Sequence, residues 1–471
     1  MSEKKYDIGI AGLGVMGRNL AMNIADHGFS VAGFDIDPAK VAEFEKESSS
    51  SSTKASASAG EFASLLRRPQ SFIMLVPAGK AVDSAINGIF PHLEPGAIII
   101  DGGNSYYKDT DTRMKALEAK GMHFIGMGVS GGEEGARRGP SMMPGGNTEA
   151  YKQVRPILEA AAAKVDGEPC ITYLGPGSSG HYVKMVHNGI EYGLMELIAE
   201  TYDLMKRYAG MNNDDLHKVY EAWSHGRAGS FLLDITAEIF LKNDEKTGSR
   251  LIDMILDRAA QNGTGRWTSQ DAMDLQVPVP TIDAAVMMRA VSGNKKGREE
   301  AAGILKGPVP LFEGERQSFI QQIGNSLYFS MITAYTQGMA LIRAASAAYG
   351  YGISLKEVAR IWRGGCIIRA DLLDEIAQVY GIKPGLDNLM LDPHMASLLS
   401  DREHDLRNVI SRAVESGIPV PGLMSSLAYF DAWRSRRLPA NLIQAQRDYF
   451  GAHTYERTDG NGTFHTVWRK P

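Results

Sequence analysis

Residues 7–17 read DIGIAGLGVMG, and this stretch decides the fold. The apolar run Asp7–Ala11 predicts a buried strand, and a G-x-G-x-x-G motif follows it at once. Glycines at this spacing permit a tight turn, close approach of the backbone to a pyrophosphate, and close packing of the next helix on the strand. The N-terminus of that helix then faces the anion. The motif therefore predicts a dinucleotide site formed by Gly12, Leu13, Gly14, Val15, Met16 and Gly17.

Outward from this motif, the first third of the chain alternates short apolar runs with helical patterns. The predicted strands are Asp7–Ala11, Ser30–Asp35, Ser71–Val76, Ala97–Asp101, His123–Met127 and, as the last one, Ile171–Leu174. Strands alternating with helices imply βαβ units and a parallel sheet. Residues 1–177 are therefore predicted to form a Rossmann-type doubly wound α/β domain. Residues 47–60, which are rich in Ser and Ala, are interpreted as a loop or frayed connection.

The rest of the chain has a different pattern. The run Gly175-Pro-Gly-Ser-Ser-Gly180 breaks both helices and strands and marks a boundary. Beyond it the apolar spacing is almost entirely helical, and residues 180–208 are predicted to form one long helix. We therefore expect a large all-α domain over residues 178–437. Residues 438–471 are rich in aromatics, Arg, His and Gly, and their weak periodicity predicts a C-terminal tail that needs another surface to pack on.

Composition excludes several classes of protein. A chain of 471 residues is too long for one core, and its formal net charge of -5 argues against binding nucleic-acid phosphates. Cys170 and Cys366 are far apart and lack metal-ligand spacing, so we expect no disulfide, no metal and a reducing compartment. No signal peptide is visible, and no apolar run approaches the ~20 residues that span a bilayer. These features predict a cytoplasmic protein without membrane or nucleic-acid partners.

A polar stripe lies on an otherwise apolar helical stretch, Lys184-Met-Val-His187-Asn188-Gly-Ile-Glu191. Its four polar side chains are spaced i, i+3, i+4 and i+7 and so share one helix face. An amine, an imidazole, a carboxamide and a carboxylate can together take up a proton, donate one and orient a polar substrate. An exposed face of an ordinary amphipathic helix would have the same spacing. The apolar flanks favour a buried stripe, which must face a partner, so we interpret it as a candidate active site.

The residues after the second predicted strand bear on the choice of cofactor. Asp35 lies 18 residues after Gly17, where an acid can bind the hydroxyls of the adenosine ribose. Ile36-Asp37-Pro38 supply no cation for a 2′-phosphate, and Asp37 would repel one, although Arg18 lies nearby on the helix. The sequence therefore favours NAD over NADP. Further candidates for cofactor binding are Val76, Ala78 and Asn104.

Five motifs, in order, closely resemble the decarboxylating 6-phosphogluconate dehydrogenase family of the β-hydroxyacid dehydrogenase superfamily, over essentially the whole chain. They are Asp101-Gly-Gly-Asn104-Ser, Gly128-Val-Ser130-Gly131-Gly132-Glu-Glu-Gly-Ala, the Lys184–Glu191 helix, Trp362-Arg-Gly-Gly-Cys-Ile-Ile-Arg369, and Gln444-Ala-Gln-Arg447-Asp-Tyr-Phe-Gly-Ala-His453-Thr-Tyr. The resemblance implies a metal-independent enzyme of the pentose phosphate pathway. It implies oxidation of 6-phosphogluconate by hydride transfer to the nicotinamide, loss of CO2, and protonation of an enediol to ribulose 5-phosphate.

The same resemblance implies roles for individual residues. Lys184 would be the general base and must be neutral, and Glu191 would be the general acid and must be protonated. Without the resemblance, Arg289 would be interpreted as a surface arginine. Ser130-Gly-Gly could be a plain turn, but it follows a strand at its carboxyl end, where doubly wound folds place ligands, and this favours binding. The family also implies a homodimer with exchanged tails, because two substrate contacts come from the partner subunit. The implied substrate-binding residues are Asn104, Ser130, Gly131, Gly132, His187, Asn188, Tyr192, Asn262, Arg289 and, from the partner, residues matching Arg447 and His453.

Two positions depart from the family pattern. Asp35-Ile36-Asp37 stands where NADP-binding members carry an Asn-Arg-Thr turn, which supports the expectation of NAD. Asn262 replaces the lysine before Gly-Thr-Gly and removes a charge from the phosphate site, unless Arg266, Lys295 or Lys296 compensates. This leaves open a sister β-hydroxyacid dehydrogenase acting on another sugar acid, although the retained Arg and His residues favour a phosphate. A catalytically silent NAD-sensing protein would be expected to lack Lys184 or Glu191.

Overall fold

A seven-stranded sheet organises the first third of the chain in the computed structural model, which describes residues 5–48, 52–309 and 311–469. The strands are β1 Ile8–Ala11, β2 Val31–Phe34, β3 Thr53–Ser56, β4 Ser71–Met74, β5 Ile98–Asp101, β6 His123–Ser130 and β7 Ser141–Gly146. Their order is 3-2-1-4-5-6-7, and strands β1 to β6 run parallel. The order reverses between β1 and β4, where doubly wound folds bind ligands at the carboxyl ends of the strands. The Rossmann-type fold is confirmed.

Helices cover both faces of this sheet. They are α1 Val15–Asp26, α2 Pro38–Glu47, α3 Ala59–Leu65, α4 Lys80–Ile89, α5 Tyr107–Glu118, α6 Gly132–Arg138 and α7 Thr148–Ala161, with a short 3-10 turn at Phe90–His92. A strand covered on both faces is apolar at every position, because neither set of side chains meets water. In β5, Ile98 and Ile100 pack into the core on one face and Ile99 into the core on the other.

Three expectations for this domain were wrong. Residues 47–60 are not all loop: β3 and the start of α3 lie there, while residues 49–51 of the serine run fall outside the described residues. Ile171–Leu174 is not a strand, since Ile171 makes only one isolated bridge, to Met142. The sheet is not wholly parallel, because β7 pairs antiparallel with β6. Its sequence, SMMPGG, has no β-branched residue and contains proline and glycine, so its local propensity does not predict a strand.

The second domain is helical, as expected, and packs around one extensive core. Its helices are α8 Ser179–Asp203, α9 Asn213–Ser224, α10 Phe231–Leu241, α11 Thr264–Asp274, α12 Pro280–Gly293, α13 Lys295–Ile304, α14 Arg316–Ala348, α15 Leu355–Trp362, α16 Leu372–Ile382, α17 Pro393–Ser400, α18 Glu403–Ser416 and α19 Pro421–Arg434. The short strands β8 Lys164–Val165 and β9 Glu168–Pro169 lie between α7 of the first domain and α8. The predicted helix over residues 180–208 is α8, continued by a π-helical turn at Leu204–Tyr208. Short 3-10 turns lie at Leu251–Met254 and Leu389–Leu391.

The tail has local order of its own. It comprises α20 Ala440–Gly451 and a small hairpin of β10 Tyr455–Glu456 and β11 Thr463–Phe464. The Asp448 carboxylate ties helix to hairpin, because it accepts hydrogen bonds from the Thr454 and Thr466 backbone N–H groups and the Trp468 indole N–H. Leu442 and other apolar side chains of α20 are exposed. Within the described part of the chain, no helix combines the length and apolar character needed to cross a membrane.

Candidate active site

The polar stripe of α8 comes into position because glycines let the helix approach the sheet closely. A Cβ atom on Gly128 of β6 would lie 2.3 Å from Lys184 Cβ, and one on Gly180 would lie 2.2 Å from the Met143 carbonyl oxygen. Any side chain at either position would push helix and strand apart. The close approach puts Lys184 beside the carboxyl end of β6, where Ser130 ends the strand.

The stripe forms one hydrogen-bonded network. Lys184 Nζ donates to Asn188 Oδ1 at 2.7 Å and lies 3.3 Å from His187 Nδ1. His187 Nδ1 is 3.0 Å from Asn188 Oδ1, and its Nε2 is 3.2 Å from Ser130 Oγ. Glu191 Oε2 lies 3.8 Å from His187 Nδ1. The four side chains predicted to share a face are thus in contact, and Ser130 joins them from the sheet.

Burial shifts the acid–base properties of the stripe. It lowers the pKa of the Lys184 amine, although the nearby Glu191 carboxylate opposes that shift. It raises the pKa of the Glu191 carboxyl, against the opposing effect of Lys184 and Arg289. It also holds the pKa of the His187 imidazole well below its usual value, with Lys184 acting in the same direction. Low-dielectric surroundings disfavour every charged form, so a neutral amine and a protonated carboxyl are both favoured at one site.

A cavity of about 450 Å³ opens over this stripe. The turn that carries Asn104 is held by the buried Asp101 carboxylate, which accepts hydrogen bonds from Gly103 N–H at 3.0 Å and Ser105 Oγ at 2.6 Å. Of the predicted substrate residues, the cavity is lined by Asn104, Ser130, Gly131, Gly132, Lys184, Asn188, Glu191, Tyr192, Asn262 and Arg289. His187 lies behind it. Lining residues that sequence reasoning missed are Val129, Met195, Ala260, Gln261, Thr264 and Ile367.

One end of the cavity is suited to an anion. The Arg289 guanidinium lies 4.5 Å from the centre of the Tyr192 ring and donates to the Ala260 carbonyl at 2.9 Å. Among the described residues lining the cavity, Lys184 and Arg289 are the only lysine or arginine. Lys295 pairs with Asp257 at 2.8 Å instead. None of the suggested replacements, Arg266, Lys295 and Lys296, lines the cavity. Thr264, at the first turn of α11, was detectable from the Gly-Thr-Gly motif that contains it.

A second cavity, of about 630 Å³, lies at the carboxyl ends of β1, β2 and β4. Gly12 has φ +97°, and a Cβ there would lie 2.5 Å from the Leu75 carbonyl oxygen. A Cβ on Gly17 would lie 1.8 Å from the Gly12 carbonyl oxygen, whereas one on Gly14 would meet nothing within 4 Å. The first and third glycines therefore permit close packing, and the second leaves open space before the N-terminus of α1. A dinucleotide pyrophosphate fits such a turn.

The acidic residue expected at the ribose is in place at this cavity. Asp35 Oδ2 accepts from Leu13 N–H at 2.8 Å, and Oδ1 accepts from Asp37 N–H at 3.0 Å. The Arg18 guanidinium turns away from the cavity and pairs with two glutamates of α2, Glu43 and Glu47. Lys40, at the start of α2, brings a cation to the cavity that the sequence reasoning did not consider, and its Nζ lies 3.8 Å from Asp35 Oδ2.

The remaining predicted positions divide between the two cavities and the surface. Gly12, Gly14, Asp35 and Val76 line the cofactor cavity, whereas Met16 lines the substrate cavity beside it. Neither cavity is lined by Leu13, Val15, Gly17 or Ala78. Arg447 and His453 lie on the exposed tail and do not line the substrate cavity of their own chain. In the described residues, no group of three His, Cys, Asp or Glu side chains is arranged to hold a metal ion.

A doubly wound domain with a glycine-rich turn, next to a buried acid–base helix, defines the class of NAD(P)-dependent dehydrogenases. Two family models match the chain: the NAD binding domain of 6-phosphogluconate dehydrogenase over residues 7–175, and the 6-phosphogluconate dehydrogenase C-terminal domain over residues 180–468. Together they span nearly all of it. The chain belongs to the 6-phosphogluconate dehydrogenase family.

Similar proteins share this organisation from end to end. The NADP(+)-dependent, decarboxylating 6-phosphogluconate dehydrogenase of Bacillus subtilis is 52% identical, with 99% of this chain and 100% of the relative covered. The decarboxylating 6-phosphogluconate dehydrogenase of Synechococcus elongatus is also 52% identical, with 98% of both chains covered. Among solved structures, Plasmodium falciparum 6-phosphogluconate dehydrogenase superposes with a TM-score of 0.93 at 43% identity, covering 98% of this chain and 100% of that one.

Proposed function

We propose that the protein catalyses the oxidative decarboxylation of 6-phosphogluconate to ribulose 5-phosphate and CO2, in the pentose phosphate pathway, with NAD preferred over NADP. The observation that carries the proposal is the pair Lys184 and Glu191 on one face of α8. Burial favours the neutral lysine and the protonated glutamate, as a general base and a general acid require. The names of the full-length relatives support the same reaction.

In the first step, Lys184 would take the proton of the substrate C3 hydroxyl as the hydride leaves C3. Its hydrogen bond to Asn188 Oδ1 holds the amine at the wall of the cavity. A bound nicotinamide dinucleotide supplies the hydride acceptor, and Gly12, Gly14 and Asp35 would hold it. Removing the hydroxyl proton stabilises the developing carbonyl, and a positioned base typically contributes ~10²–10⁴-fold to such a step.

In the second step, the protonated Lys184 would donate to the C3 keto oxygen. The C1–C2 bond then breaks, CO2 leaves, and the bonding electrons form the C2–C3 double bond of an enediol. Glu191 would next donate its proton to C2, the carbon that carried the carboxylate, while the C3 hydroxyl returns its proton to the now neutral Lys184. The electrons of that O–H bond restore the C3 carbonyl, and those of the C2–C3 double bond form the new C2–H bond. Glu191 suits this role because burial raises the pKa of its carboxyl and so favours the protonated form that a general acid requires.

Substrate binding would use both ends of the cavity. Asn104, Ser130 and Asn188 would bind the carboxylate and hydroxyls, and Arg289 with Tyr192 would bind the phosphate. Arginine suits phosphate because its planar fork makes paired charge-assisted hydrogen bonds. Asn262 weakens this end by one charge. A sister activity on an unphosphorylated sugar acid is the alternative, and the position of Arg289 favours the phosphorylated substrate.

The NAD preference rests on the charges around the adenosine ribose. Both carboxylate oxygens of Asp35 accept backbone hydrogen bonds, which hold the side chain at the position a 2′-phosphate would approach. Ile36, which is 85% exposed beside it, offers no compensating cation. Of the described residues that line this cavity, Lys40 is the only lysine or arginine, and its charge is already close to Asp35. NADP use by the Bacillus subtilis relative makes this preference a property to be tested on this chain.

We further propose that the chain acts as a cytoplasmic homodimer with exchanged tails. Arg447 and His453 would then complete the phosphate end of the partner's cavity, where Asn262 supplies no charge. The exposed apolar side chains of α20, including Leu442 and Phe450, support a surface that packs on another subunit.

The deciding experiment is a steady-state comparison of NAD and NADP with 6-phosphogluconate and with gluconate, following both cofactor reduction and CO2 release. The proposal requires one CO2 per NADH with 6-phosphogluconate and a higher kcat/KM with NAD. A higher value with NADP would keep the reaction and overturn the cofactor preference. Reduction with gluconate and not with 6-phosphogluconate would establish the sister activity instead.

A further inference from the structure

A buried carboxylate behind the active site accepts hydrogen bonds from three tyrosines. Asp271 Oδ1 accepts from Tyr107 Oη at 2.5 Å and from Tyr349 Oη at 2.9 Å, and Oδ2 accepts from Tyr182 Oη at 2.5 Å. Asp271 is 1% exposed and lines neither cavity. Three hydroxyl donors on one buried carboxylate fix its position far more strictly than a single pair would.

The three tyrosines come from different segments, two of which carry parts of the site. Tyr107 begins α5, three residues after Asn104, and belongs to the first domain. Tyr182 lies two residues before Lys184 on α8. At about 100° per residue these two side chains point in clearly different directions, so Tyr182 reaches back while Lys184 faces the cavity. Tyr349, just after α14, closes the cluster.

Asp271 itself lies on α11, a further helix that contributes to the site. It lies near the end of α11, whose first residue, Thr264, lines the phosphate end of the cavity. This helix runs antiparallel along α8. A Cβ on Gly265 would lie 2.6 Å from Tyr192 Cδ2, and Thr268 Oγ1 donates to the Met185 carbonyl at 2.9 Å. The Asp271–Tyr182 hydrogen bond is the polar contact at the far end of this helix pair.

We propose that Asp271 is a positioning residue for the reaction, an inference that rests on the function proposed above. Its hydrogen bond from Tyr107 fixes the turn that carries Asn104, and its hydrogen bond from Tyr182 fixes α8, which carries Lys184. Both are thereby held in place relative to α11, which begins at Thr264. Asp271 touches neither substrate nor cofactor. A shift of about 1 Å between such elements can cost up to ~100-fold in rate, because reacting groups lose their alignment.

The test compares Asp271→Asn and Tyr182→Phe with Tyr220→Phe in the full-length enzyme, well below the unfolding temperature of each. Tyr220 is a matched control, because its buried hydroxyl also makes hydrogen bonds, to Thr201 Oγ1 and the Ile198 carbonyl, but lines neither cavity. Asp271→Asn keeps the volume and replaces an acceptor oxygen with an amide donor. We expect kcat/KM for 6-phosphogluconate to fall about ten-fold or more in Asp271→Asn and to stay near the wild-type value in Tyr220→Phe.

Two further results separate positioning from mere stability. The double variant Asp271→Asn with Tyr182→Phe should lose no more activity than Asp271→Asn alone, because both remove the same contact. Hydrogen exchange of the substrate-free enzyme should quicken at residues 262–268 in Asp271→Asn and Tyr182→Phe, but not in Tyr220→Phe. The exchange result does not depend on the substrate, so it stands even if wild-type enzyme fails to oxidise 6-phosphogluconate.

Wild-type kinetic constants and unchanged exchange at residues 262–268 in both variants would overturn the proposal, whatever their loss of thermal stability. Equal losses of activity in Tyr182→Phe and Tyr220→Phe would also overturn it, because a buried hydroxyl would then matter wherever it lay. If Asp271→Asn does not fold, Tyr182→Phe and Tyr107→Phe decide the question against the same control.

Discussion

Lys184 Nζ lies 2.7 Å from Asn188 Oδ1, in surroundings where the two residues are only 6% and 8% exposed. The carboxamide oxygen can accept a hydrogen bond from the amine in its neutral or its protonated form. It therefore orients the amine without fixing its charge. Burial lowers the pKa of Lys184, so the amine can lose and regain a proton during a catalytic cycle. Asn188, one helical turn away on the same face, would thus support the role of base that we propose for Lys184.

Replacing Lys184 with methionine should abolish turnover while leaving the fold intact. Methionine keeps most of the apolar stem and removes the amine, so the loss should reach ~10²–10⁴-fold or more, the usual contribution of a general base. The measurement is NADH formation with 6-phosphogluconate, together with NAD binding and thermal unfolding. Lys218→Met, at an exposed position on α9, is the control and should behave as wild type. Turnover near the wild-type rate in Lys184→Met would exclude its role as base.

Replacing Glu191 with glutamine should impair the last protonation more than the oxidation. The amide keeps the volume but holds no transferable proton. Single-turnover NADH formation should therefore fall less than ribulose 5-phosphate formation, and deuterium from D2O should enter C1 without stereochemical control. Because a general acid must be protonated, kcat should fall as the pH rises through the pKa of Glu191, which burial raises above its ordinary value, and this fall should vanish in the variant. Equal losses in both steps would mean that another group is the acid.

Sequence alone predicted the elements that carry the strongest periodicity. The G-x-G-x-x-G turn and the Lys184 stripe were found because backbone geometry and helix spacing translate directly into positions in space. β7 was missed because its pairing depends on β6, and its own residues include Pro144 and two glycines. Strand character there comes from tertiary contacts, which local propensity does not encode.

The site was less complete in the sequence than the fold. Lys40 reaches the cofactor cavity because it lies in the first turn of α2, which begins at Pro38, and its Nζ is 3.8 Å from Asp35 Oδ2. Ile367 lines the substrate cavity from a loop nearly two hundred residues away from Lys184 in sequence. Such contacts depend on how distant segments pack, and the spacing of residues along the sequence does not predict them. The partners of Asp271 were hidden for the same reason.

Introducing an arginine at Ile36 should increase the use of NADP. The exposed side chain lies beside Asp35 at the cofactor cavity, and a charge-assisted hydrogen bond to a 2′-phosphate is worth ~1.5–3 kcal/mol, or about ten- to a hundred-fold in kcat/KM. Ile36→Gln is the uncharged control. Asp35→Asn should not be combined with this substitution, because both carboxylate oxygens of Asp35 accept hydrogen bonds from backbone N–H groups. The asparagine amide would place a donor against one of these N–H donors. If the ratio of kcat/KM for NADP to kcat/KM for NAD does not change, residues other than Ile36 determine the cofactor preference.

Introducing a lysine at Asn262 should strengthen binding of the phosphorylated substrate. The position lines the same cavity as Arg289, which we propose binds the phosphate. An added charged hydrogen bond of ~1.5–3 kcal/mol should lower KM for 6-phosphogluconate about ten- to a hundred-fold and make it more sensitive to salt. KM for gluconate should not change, and Asn262→Gln should resemble wild type. An equal effect on both sugar acids would show that position 262 does not face the phosphate.

Mixing two inactive variants should restore activity if the tails are exchanged. One variant is Lys184→Met, with a wild-type tail; the other is Arg447→Ala with His453→Ala, with a wild-type catalytic helix. After co-refolding, half of the dimers contain one chain of each kind, and tail exchange gives each of these one complete site. Activity should then return to roughly one quarter of the wild-type value, as expected for two-fold symmetric dimers. If each tail served its own chain, no complete site would form, because each polypeptide would still lack one half of it.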